Sequence, residues 1–490
     1  MRKSKLLLAV VSGIALAAAM PKPGIWILAW VALMPLFGVL SSARWTHGAL
    51  YGLAAGVVYF GIILHWITLF GTLPWILLAL VEGLFVALFA ALAALMMPRK
   101  TGWWGYLAVP AAWTAVPWLK SLGPYGFPWG SFAHIQANNL AVCQIASLTG
   151  PWGIDFLVCL FNLAVACAIV ERKCSRTRIA LLAAVVIVGL VIGGGLVSLR
   201  STPEDGTPVR VAILQGNLKH DVTPEEGYPE KALSVYSEMS REAVARRAEL
   251  IVWPEAALPV VVTPSGWGAS ISHLARNTGT QYLVGGYDAA EDPEITGSYN
   301  AAMLYNSQGQ LTGVYRKVQL VPFGEFVPMR DRLPLLKRYS IRDEDVVRGE
   351  SHVLLDSSIG KIGTAICFES LFPDILRSQT ANGAEVLCIT TNDSWFERTQ
   401  AARHHLMMAQ LRAIENRRYV IRAALTGISA FIDPHGRIVD QAGIFERKTM
   451  IGGVCGLREL TFYTRFGQYF AYLCVLITVA ALLVCGRKKK

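Results

Sequence analysis

Eight long apolar runs dominate this sequence and limit what the chain can fold into. They lie at about 6–20, 25–41, 49–70, 75–97, 104–118, 152–170, 179–198 and 466–486. At about 1.5 Å per helical residue, most are long enough to cross about 30 Å of hydrocarbon, although 6–20 and 104–118 are short. The sequence therefore predicts a multi-pass α-helical membrane domain with about eight transmembrane helices.

Lys and Arg are unevenly distributed among the short connections between these runs. Fourteen lie before the first run, after the second, fourth and sixth runs, and after the last, whereas the alternate connections hold only Lys22 and Lys120. Because basic residues favour cytoplasmic loops, both termini are predicted to be cytoplasmic and the long segment after the seventh run to lie outside. This segment, 200–465, carries 29 basic and 31 acidic residues. The net charge of +11 is thus a topology signal and does not indicate nucleic-acid binding.

The first apolar run has a second interpretation. A basic start followed by an Ala- and Leu-rich run also fits a secretory signal peptide. The second run begins only a few residues later and no clean cleavage site stands out, so we expect the first run to be retained. The topology of the remaining chain is the same in either case.

From residue 209 the pattern changes to short β-rich runs separated by helical stretches. VRVAILQ, KIGTAICF and EVLCITTND read as strands, and SQGQ and DPHGR read as hairpin turns. Apolar spacing predicts helices at 229–248, 267–277 and 400–417. Strands alternating with helices predict one α/β domain of about 250 residues. The predicted organisation is a membrane domain, an outer α/β domain, and a closing helix with a basic tail, at 1–199, 200–464 and 465–490 respectively.

Residues with the chemistry of an acyl-transfer site stand at the ends of predicted strands. Cys367 ends the run KIGTAIC and precedes a stretch that reads as helical. A turn from strand to helix exposes a nucleophile, places backbone N–H groups nearby and favours a thiolate. Glu255 follows the strand ELIVW, while Lys317 and Glu325 lie within YRKVQLVPFGE. Taken singly, each also fits an ordinary role: a buried cysteine, turn carboxylates or a snorkelling surface lysine.

Other features favour or exclude further classes of site. The outer connection 121–136 is too rich in Gly, Pro and aromatic residues for a simple helix, so Trp129 and the preceding Lys120 are candidates for a lipid entrance. The segment 328–340 is a candidate loop over the membrane or an ordinary surface loop. Two carboxylates, Glu82 and Asp155, make a poor ion pathway and disfavour a transporter. We expect no metal and no cofactor, since no Cys/His ligand spacing occurs.

In their order along the chain, Glu255, Lys317 and Cys367 resemble the Glu–Lys–Cys triad of the nitrilase superfamily. With the membrane helices, the resemblance narrows to the apolipoprotein N-acyltransferase family and covers nearly the whole chain. Supporting strings are ILQGN (213–217), WPEAA (253–257), YRKVQLVPFGEFVP (315–328), ICFES (366–370), TTNDSWF (390–396) and YGFPW (125–129). The resemblance implies an α-β-β-α nitrilase-like sandwich beside the membrane helices.

The resemblance also implies a mechanism and substrates. Glu255 would be the general base, Cys367 the nucleophile that forms a thioester, and Lys317 the oxyanion stabiliser, helped by a backbone N–H near Phe368. Glu325 and Glu369 would support them. The implied acyl donor is a phospholipid, and the acceptor is the α-amine of a diacylglyceryl-cysteine on an apolipoprotein. The implied setting is the bacterial inner membrane, with a periplasmic catalytic domain and a monomeric chain.

Three positions depart from the pattern expected of the family. Phe368 stands where many members have Tyr, Lys120 replaces a more usual Arg, and Glu397 follows TNDSWF where Gly is common. Two other functions fit parts of the sequence: a membrane-anchored amidase for a small amide, and a binding or transport protein with an inert nitrilase-like domain. A single anchor would suffice for the amidase, and the complete triad argues against the inert domain.

Overall fold

The computed structural model describes residues 3–201, 207–218, 227–290, 297–330, 332 and 345–487. Most of the predicted loop 328–340 lies outside the described residues. The chain forms two compact units. One comprises Met1–Ser201, Thr399–Met407 and Phe466–Lys490, and the other comprises Thr202–Arg398 and Met408–Arg465.

The first unit is helical. Its helices up to residue 198 are α1 (Lys3–Ala19), α2 (Met34–Leu40), α3 (Trp45–Ile63), α4 (Thr72–Met96), α5 (Pro98–Thr101), α6 (Trp104–Lys120), α7 (Phe132–Ile135), α8 (Leu140–Cys143), α9 (Ala146–Thr149), α10 (Trp152–Val170) and α11 (Ser175–Ser198). Among the described residues, five helices are long and apolar enough to cross a membrane, the fifth being the C-terminal helix. The predicted number of about eight spans is therefore not confirmed.

The second apolar run does not form one continuous helix. A short 3₁₀ helix at Trp26–Trp30 is followed by an irregular turn and then by α2, where Pro35 occupies the first helical turn. Asn162 of α10 satisfies the broken backbone, because its side chain accepts from Leu33 N at 2.9 Å and donates to Ala29 O at 2.9 Å. Non-helical backbone in an apolar setting needs such internal partners. The break shortens this run as a candidate span.

Small residues bring α3 and α4 into close contact. Gly48, Gly52 and Gly56 recur every four residues on the α3 face that meets α4. A Cβ added at Gly52 would lie 2.6 Å from Val86 O, and one at Gly48 would lie 2.8 Å from Ala90 O. This small-xxx-small spacing lets the two helix backbones come close enough for van der Waals packing. Such packing is important between apolar helices in lipid, because the hydrophobic effect does not drive their association there.

The second unit contains two β-sheets. Its strands are β1 (Val209–Gln215), β2 (Leu250–Val252), β3 (Val261–Thr263), β4 (Gln281–Ala289), β5 (Ser298–Tyr305), β6 (Leu311–Arg316), β7 (Leu355–Ser357), β8 (Gly360–Ile366), β9 (Val386–Thr391), β10 (Val420–Ala424), β11 (Ala430–Ile432), β12 (Ile438–Gln441) and β13 (Lys448–Val454). The first sheet has the order β13-β1-β2-β4-β5-β6, with β3 beside β4, and the second has the order β12-β11-β10-β9-β8-β7. Pairs β1/β2, β2/β4, β8/β9 and β9/β10 are parallel.

The helices α12 (Tyr228–Ala245), α13 (Gly266–Thr278) and α14 (Pro373–Ala381) lie in this unit. The division between the units falls within α15 (Ala401–Asn416), after Met407, and within α16 (Phe462–Phe466), before Phe466. The last helix, α17 (Tyr469–Arg487), lies in the helical unit. The helices predicted at 229–248, 267–277 and 400–417 are thus confirmed. Both predicted hairpin turns are also confirmed, since SQGQ joins β5 to β6 and DPHGR joins β11 to β12.

Side chains that point alternately to the two faces of each strand form the layered core of this unit. Val211 and Ile213 of β1 pack with Ile362 of β8 in the cluster between the two sheets. Ala212 and Leu214 turn to the opposite face, where residues of α12 and α13 cover the first sheet. Side chains alternate between faces along a strand, so β1 needs apolar residues on both sides. The predicted α-β-β-α architecture, with helices beside it in the same chain, is confirmed.

Candidate active site

Four residues of the candidate site directly follow strand ends. Glu255 comes three residues after β2, Lys317 follows β6, Cys367 follows β8, and Asn392 follows β9. The strands β8 and β9 are parallel, with Ile366 opposite Thr390, so Cys367 and Asn392 leave the second sheet at the same edge. The fold therefore gathers residues that are far apart in sequence.

Lys317 lies between two carboxylates in the interior of the unit. Its Nζ is 2.9 Å from Glu325 Oε1 and 3.4 Å from Glu255 Oε1, and the Lys317 side chain is only 1% exposed. Asn300 of β5 ties the carboxylates together, because its Nδ2 donates to Glu255 Oε1 at 2.8 Å and to Glu325 Oε1 at 3.0 Å. The other oxygen of Glu255 accepts from the backbone N–H of Asn392 at 2.6 Å. Both Glu255 and Lys317 are thereby held in place.

These contacts set the charge state of Lys317 and Glu325. Burial alone lowers the pKa of Lys317, but attraction to Glu325 and Glu255 outweighs it and raises the pKa above its ordinary value. Burial alone would raise the pKa of Glu325, but the Lys317 charge and hydrogen bonds to it lower that pKa overall. The resting site therefore holds a fixed cation beside carboxylates, which suits stabilisation of a developing oxyanion.

Cys367 begins the short 3₁₀ turn Cys367–Leu371 with a strained backbone. Its φ is 53°, in the left-handed region that non-glycine residues rarely adopt, and its side chain is partly exposed. Desolvation of the sulfur and the negative charge of Glu255 raise the pKa of the Cys367 thiol, against the opposing effect of Lys317. The thiol is therefore protonated at rest near neutral pH, and its attack needs a base.

Glu369 joins the turn Cys367–Leu371, which carries the candidate nucleophile and is called the nucleophile turn below, to the segment that follows Lys317. Its Oε2 accepts from Ile366 N at 2.7 Å and from the Tyr315 hydroxyl at 3.0 Å. Its Oε1 accepts from Val318 N at 2.7 Å and from Gln319 N at 3.0 Å. Burial raises the pKa of Glu369 to about 7, although these N–H groups and the Lys317 charge oppose the increase. The geometry fixes the spacing between the Cys367 and Lys317 backbones.

The remaining site residues complete the walls. Phe368 is 8% exposed and packs edge-on against Phe372, with ring centroids 5.2 Å apart. Asp393 forms a fully buried salt bridge to Arg422 at 2.7 Å and accepts from the Thr391 hydroxyl at 2.9 Å. This arrangement anchors the chain just after β9, where Asn392 meets Glu255.

Sequence reasoning missed Asn300, Asn392 and the Asp393–Arg422 pair. The string TTNDSWF was noted as a whole, but its individual residues were assigned no role. The signal that could have identified Asn392 and Asp393 is their position just past a buried strand, as for Cys367. Asn300 lies within a strand, and no local pattern distinguishes it.

Lys120 and Trp129 lie inside the helical unit. Lys120 Nζ forms a buried salt bridge to Glu82 and donates to Trp129 O at 2.8 Å. Trp129 is 2% exposed, and its indole N–H donates to His404 Nδ1 of the same unit at 3.3 Å. Asp155 accepts from Phe132 N at 2.7 Å, so both intramembrane carboxylates have local structural partners. The entrance role of Lys120 and Trp129 stays a prediction.

Among the described residues, no group of three or more His, Cys, Asp or Glu side chains is arranged to hold a metal ion. The site just described consists of a thiol, a buried ammonium group and carboxylates. These groups can perform nucleophilic acyl transfer with general base assistance and oxyanion stabilisation.

Comparison with known proteins gives the class of the second unit. The family profile described as Carbon-nitrogen hydrolase matches residues 210–455. Among solved structures, Saccharomyces cerevisiae Nit3, described as a member of branch 10 of the nitrilase superfamily, is 22% identical and has a TM-score of 0.41. The match covers 51% of this chain and 91% of that one. The profile match alone places the α/β unit in the carbon–nitrogen hydrolase class.

The particular family follows from the N-terminal region and from full-length relatives. The profile described as Apolipoprotein N-acyltransferase N-terminal domain matches residues 12–164. The apolipoprotein N-acyltransferase of Geobacter metallireducens is 33% identical, over 99% of this chain and 95% of the relative. That of Gloeobacter violaceus is 30% identical, over 98% and 94%. The chain belongs to the apolipoprotein N-acyltransferase family.

This membership confirms the predicted enzyme class and function. The protein is a membrane-embedded bacterial acyltransferase of lipoprotein biosynthesis that N-acylates lipoproteins. Membership of this family disfavours the two alternative functions, a small-amide amidase and a binding or transport protein with an inert domain.

Proposed function

We propose that Glu255, Lys317 and Cys367 transfer an acyl chain from a phospholipid to the α-amine of a diacylglyceryl-cysteine through a thioester on Cys367. The observation that carries this proposal is the buried position of Lys317 Nζ between Glu255 and Glu325. A cation held there beside the nucleophile turn can stabilise an oxyanion without reorganising during the reaction.

In the first half-reaction, Glu255 takes the thiol proton as the Cys367 sulfur attacks the ester carbonyl carbon of the phospholipid. The carbonyl electron pair moves onto its oxygen, where Lys317 and the backbone N–H of Phe368 stabilise the charge. Collapse breaks the ester C–O bond, and Glu255 returns the proton to the departing alkoxide. A lysophospholipid leaves, and Cys367 carries the acyl group as a thioester.

In the second half-reaction, the amine of the diacylated lipoprotein attacks the thioester carbonyl. Glu255 takes a proton from the attacking nitrogen and delivers it to the leaving sulfur, and the same oxyanion contacts form again. The products are an N-acyl lipoprotein and the original Cys367 thiol. Donor and acceptor occupy one site in turn, so the kinetics are ping-pong, and no cofactor takes part.

Glu325 and Glu369 act through other residues. Glu325 positions Lys317, and Glu369 holds the nucleophile turn against the segment after Lys317. Phe368 contributes packing and its backbone N–H, so this enzyme does not use a side-chain hydroxyl at that position. Trp129 and Lys120 belong to the connection that frames lipid entry.

The proposed setting follows the distribution of basic residues. Both termini are cytoplasmic, the membrane domain spans 1–199, the catalytic domain at 200–464 is periplasmic, and 465–490 returns through the inner membrane as a closing helix and tail. The chain acts as a monomer. Acyl chains and lipidated proteins leave a bilayer only at high free-energy cost, so the reaction belongs at the membrane surface.

Purified enzyme incubated with phospholipid alone tests the chemistry. Mass spectrometry should find an acyl group on Cys367 of the wild type that hydroxylamine removes, together with released lysophospholipid. Cys367→Ala should carry none. Absence of the adduct in the wild type, or equal labelling of the variant, would refute the thioester mechanism.

A further inference from the structure

The nucleophile turn ends in two buried residues, Ser370 and Leu371. The turn Cys367–Leu371 is followed by α14, which starts at Pro373. Proline has no N–H, so Ser370 O lacks the i→i+3 bond that would otherwise continue the turn. Buried carbonyls need hydrogen-bond donors, so a donor at this end of the turn helps to hold it.

Arg412 of α15 supplies that donor. Its Nη1 lies 3.2 Å from Ser370 O and 3.2 Å from Leu371 O, so one nitrogen bridges both carbonyls. Arg412 is fully buried. A guanidinium group can donate to the two carbonyls from one nitrogen and to a carboxylate from a second nitrogen in the same plane, whereas an ammonium group has a single nitrogen.

Glu415, one turn further along α15, compensates the Arg412 charge. Its Oε1 lies 2.5 Å from Arg412 Nη2, and both side chains are completely inaccessible. The Glu415 backbone carbonyl also accepts from the Thr461 hydroxyl at 2.7 Å. A buried charge is tolerated when it is paired and hydrogen-bonded. The pair therefore presents a rigid charged group to the nucleophile turn.

The strained nucleophile gives this contact its significance. Cys367 has φ 53°, and such a conformation persists only when the surroundings hold it. Glu369 binds the N-terminal side of the turn at Ile366 N, and Ser370 Oγ bonds internally to Cys367 O at 2.8 Å. Arg412 is the contact at the C-terminal side. The sulfur is thus held from both ends of a five-residue turn.

We infer that Arg412, with Glu415 as its counter-ion, is a positioning residue that sets the location of the Cys367 sulfur for attack on the acyl donor. This inference rests on the proposed thioester function. Arg412 is fully buried, so it acts on the rate of attack and not on lipid binding. A displacement of the nucleophile by about 1 Å can reduce a rate about 100-fold.

The test replaces the pair by apolar side chains of similar size. Arg412→Met combined with Glu415→Leu removes both charges together, a change that often leaves stability nearly intact. We expect a melting temperature near that of the wild type. The rate of thioester formation at saturating phosphatidylglycerol should fall at least about tenfold, with an unchanged half-saturating lipid concentration. A folded double variant with the wild-type rate, or with a raised half-saturating concentration only, would overturn the inference.

Arg418→Met is the matched control. Arg418 is also buried and donates to backbone carbonyls, at 2.8 Å to Ala384 O and 2.6 Å to Glu459 O, but not to those of the nucleophile turn. Its loss should lower the melting temperature while the thioester rate per folded molecule stays at the wild-type level. An equal loss of rate in this control would assign the effect to general destabilisation.

Arg412→Lys covers the case in which the double variant does not fold. It keeps the charge next to Glu415 but loses the planar donor array, so a folded protein with a reduced rate is expected. A folded Arg412→Lys variant with the wild-type rate would contradict the inference. Failure of the wild type itself to form a thioester would instead refute the proposed function.

Discussion

At the scale of single residues, Glu397 pairs an unusual backbone conformation with an unusual residue. It ends the short turn Asp393–Phe396 with φ 45° and ψ −140°, a region that suits glycine. The family resemblance predicts glycine at this position, and this chain carries an exposed glutamate there instead. The glutamate at position 397 therefore carries a cost in backbone strain.

Glu397→Gly should stabilise the protein. The substitution relieves about 1–3 kcal/mol of backbone strain in the folded state. Ordering a glycine on folding costs more conformational entropy, about 0.5–1 kcal/mol, so the net gain in the free energy of unfolding is about 1 kcal/mol. Thermal unfolding should shift upward by about 2–4 °C. Glu397→Ala is the control, because it removes the carboxylate but keeps the Cβ. An equal increase in both variants would assign the effect to the charge and not to the backbone.

Glu325→Gln should destabilise the protein in a pH-dependent manner. Because its pKa is lowered below the ordinary value of 4.5, the ionised form of Glu325 stabilises the fold above pH 4.5 and loses this effect as the pH falls further. The raised pKa of Lys317 keeps its partner charged up to pH 10.5. Between these limits the variant should lose about 3 kcal/mol, because a buried charge loses a partner.

Melting temperatures measured from pH 7 to pH 3 would check this expectation. The wild type should lose more stability below pH 4.5 than Glu325→Gln does. Glu350→Gln removes an exposed carboxylate and should retain the wild-type profile. Parallel profiles for the wild type and Glu325→Gln would show that the Lys317 pair does not contribute to acid stability.

Residues differ in how far sequence could identify them. Glu255, Lys317 and Cys367 could be identified because each follows a strand and stands in a recognisable string. Asn300 and Arg412 could not, because their roles depend on partners 45 and 42 positions away along the chain. The reacting groups and the supporting carboxylates Glu325 and Glu369 could therefore be predicted from sequence strings, whereas Asn300 and Arg412 could be found only from the fold.

At the scale of elements, a close approach between β4 and the segment after β2 sets the position of Glu255. A Cβ added at Gly285 of β4 would overlap the Pro254 carbonyl oxygen and lie 2.8 Å from Glu255 Cα. Both neighbours are backbone atoms, so they cannot give way by a side-chain rotation. The absence of a side chain at this one strand position allows the Glu255 backbone to lie against β4.

Gly285→Ala should therefore displace Glu255 and slow thioester formation on Cys367 at least about tenfold, since small misplacements are costly in catalysis. Gly266→Ala is a matched control at the start of α13, where an added Cβ meets nothing within 4 Å. Rates of acyl-enzyme formation, normalised to folded protein, compare the two. Wild-type rates for Gly285→Ala would show that Glu255 tolerates the shift.

The apolar elements show where hydropathy alone is insufficient. The run 25–41 has the composition of a membrane helix, but the side chain of Asn162 satisfies a broken backbone there. Hydropathy measures the cost of placing residues in lipid and does not register a polar partner that lies 129 positions further along the chain. In contrast, α4, α10 and α11 are continuous helices over most of their apolar runs.

At the scale of the whole molecule, the proposed orientation can be checked with two native cysteines. Cys174 lies in the connection between α10 and α11, and Cys455 follows β13, each with partial exposure. The positive-inside pattern puts the first in the cytoplasm and the second in the periplasm. A membrane-impermeant maleimide added to spheroplasts should label Cys455 and leave Cys174 unlabelled.

Lysed cells supply the control, because both cysteines should react once the membrane is broken. Mass spectrometry of the peptides separates them from the other seven cysteines of the chain. Labelling of Cys174 in intact spheroplasts, with Cys455 protected, would reverse the proposed topology.

The pairing of β1 with β13 means that the first sheet of the α/β unit is completed late during synthesis. The two strands are the first and last of the α/β unit, with Val209 opposite Val454, and β13 contributes Met450 and Val454 to the core between the sheets. The ribosome makes the chain from the N-terminus to the C-terminus. Strand β1 therefore cannot pair with β13 until about residue 454 has left the ribosome. Glu255, Lys317 and Cys367 are all made earlier. The nascent α/β unit therefore holds all three residues before its first strand gains this neighbour.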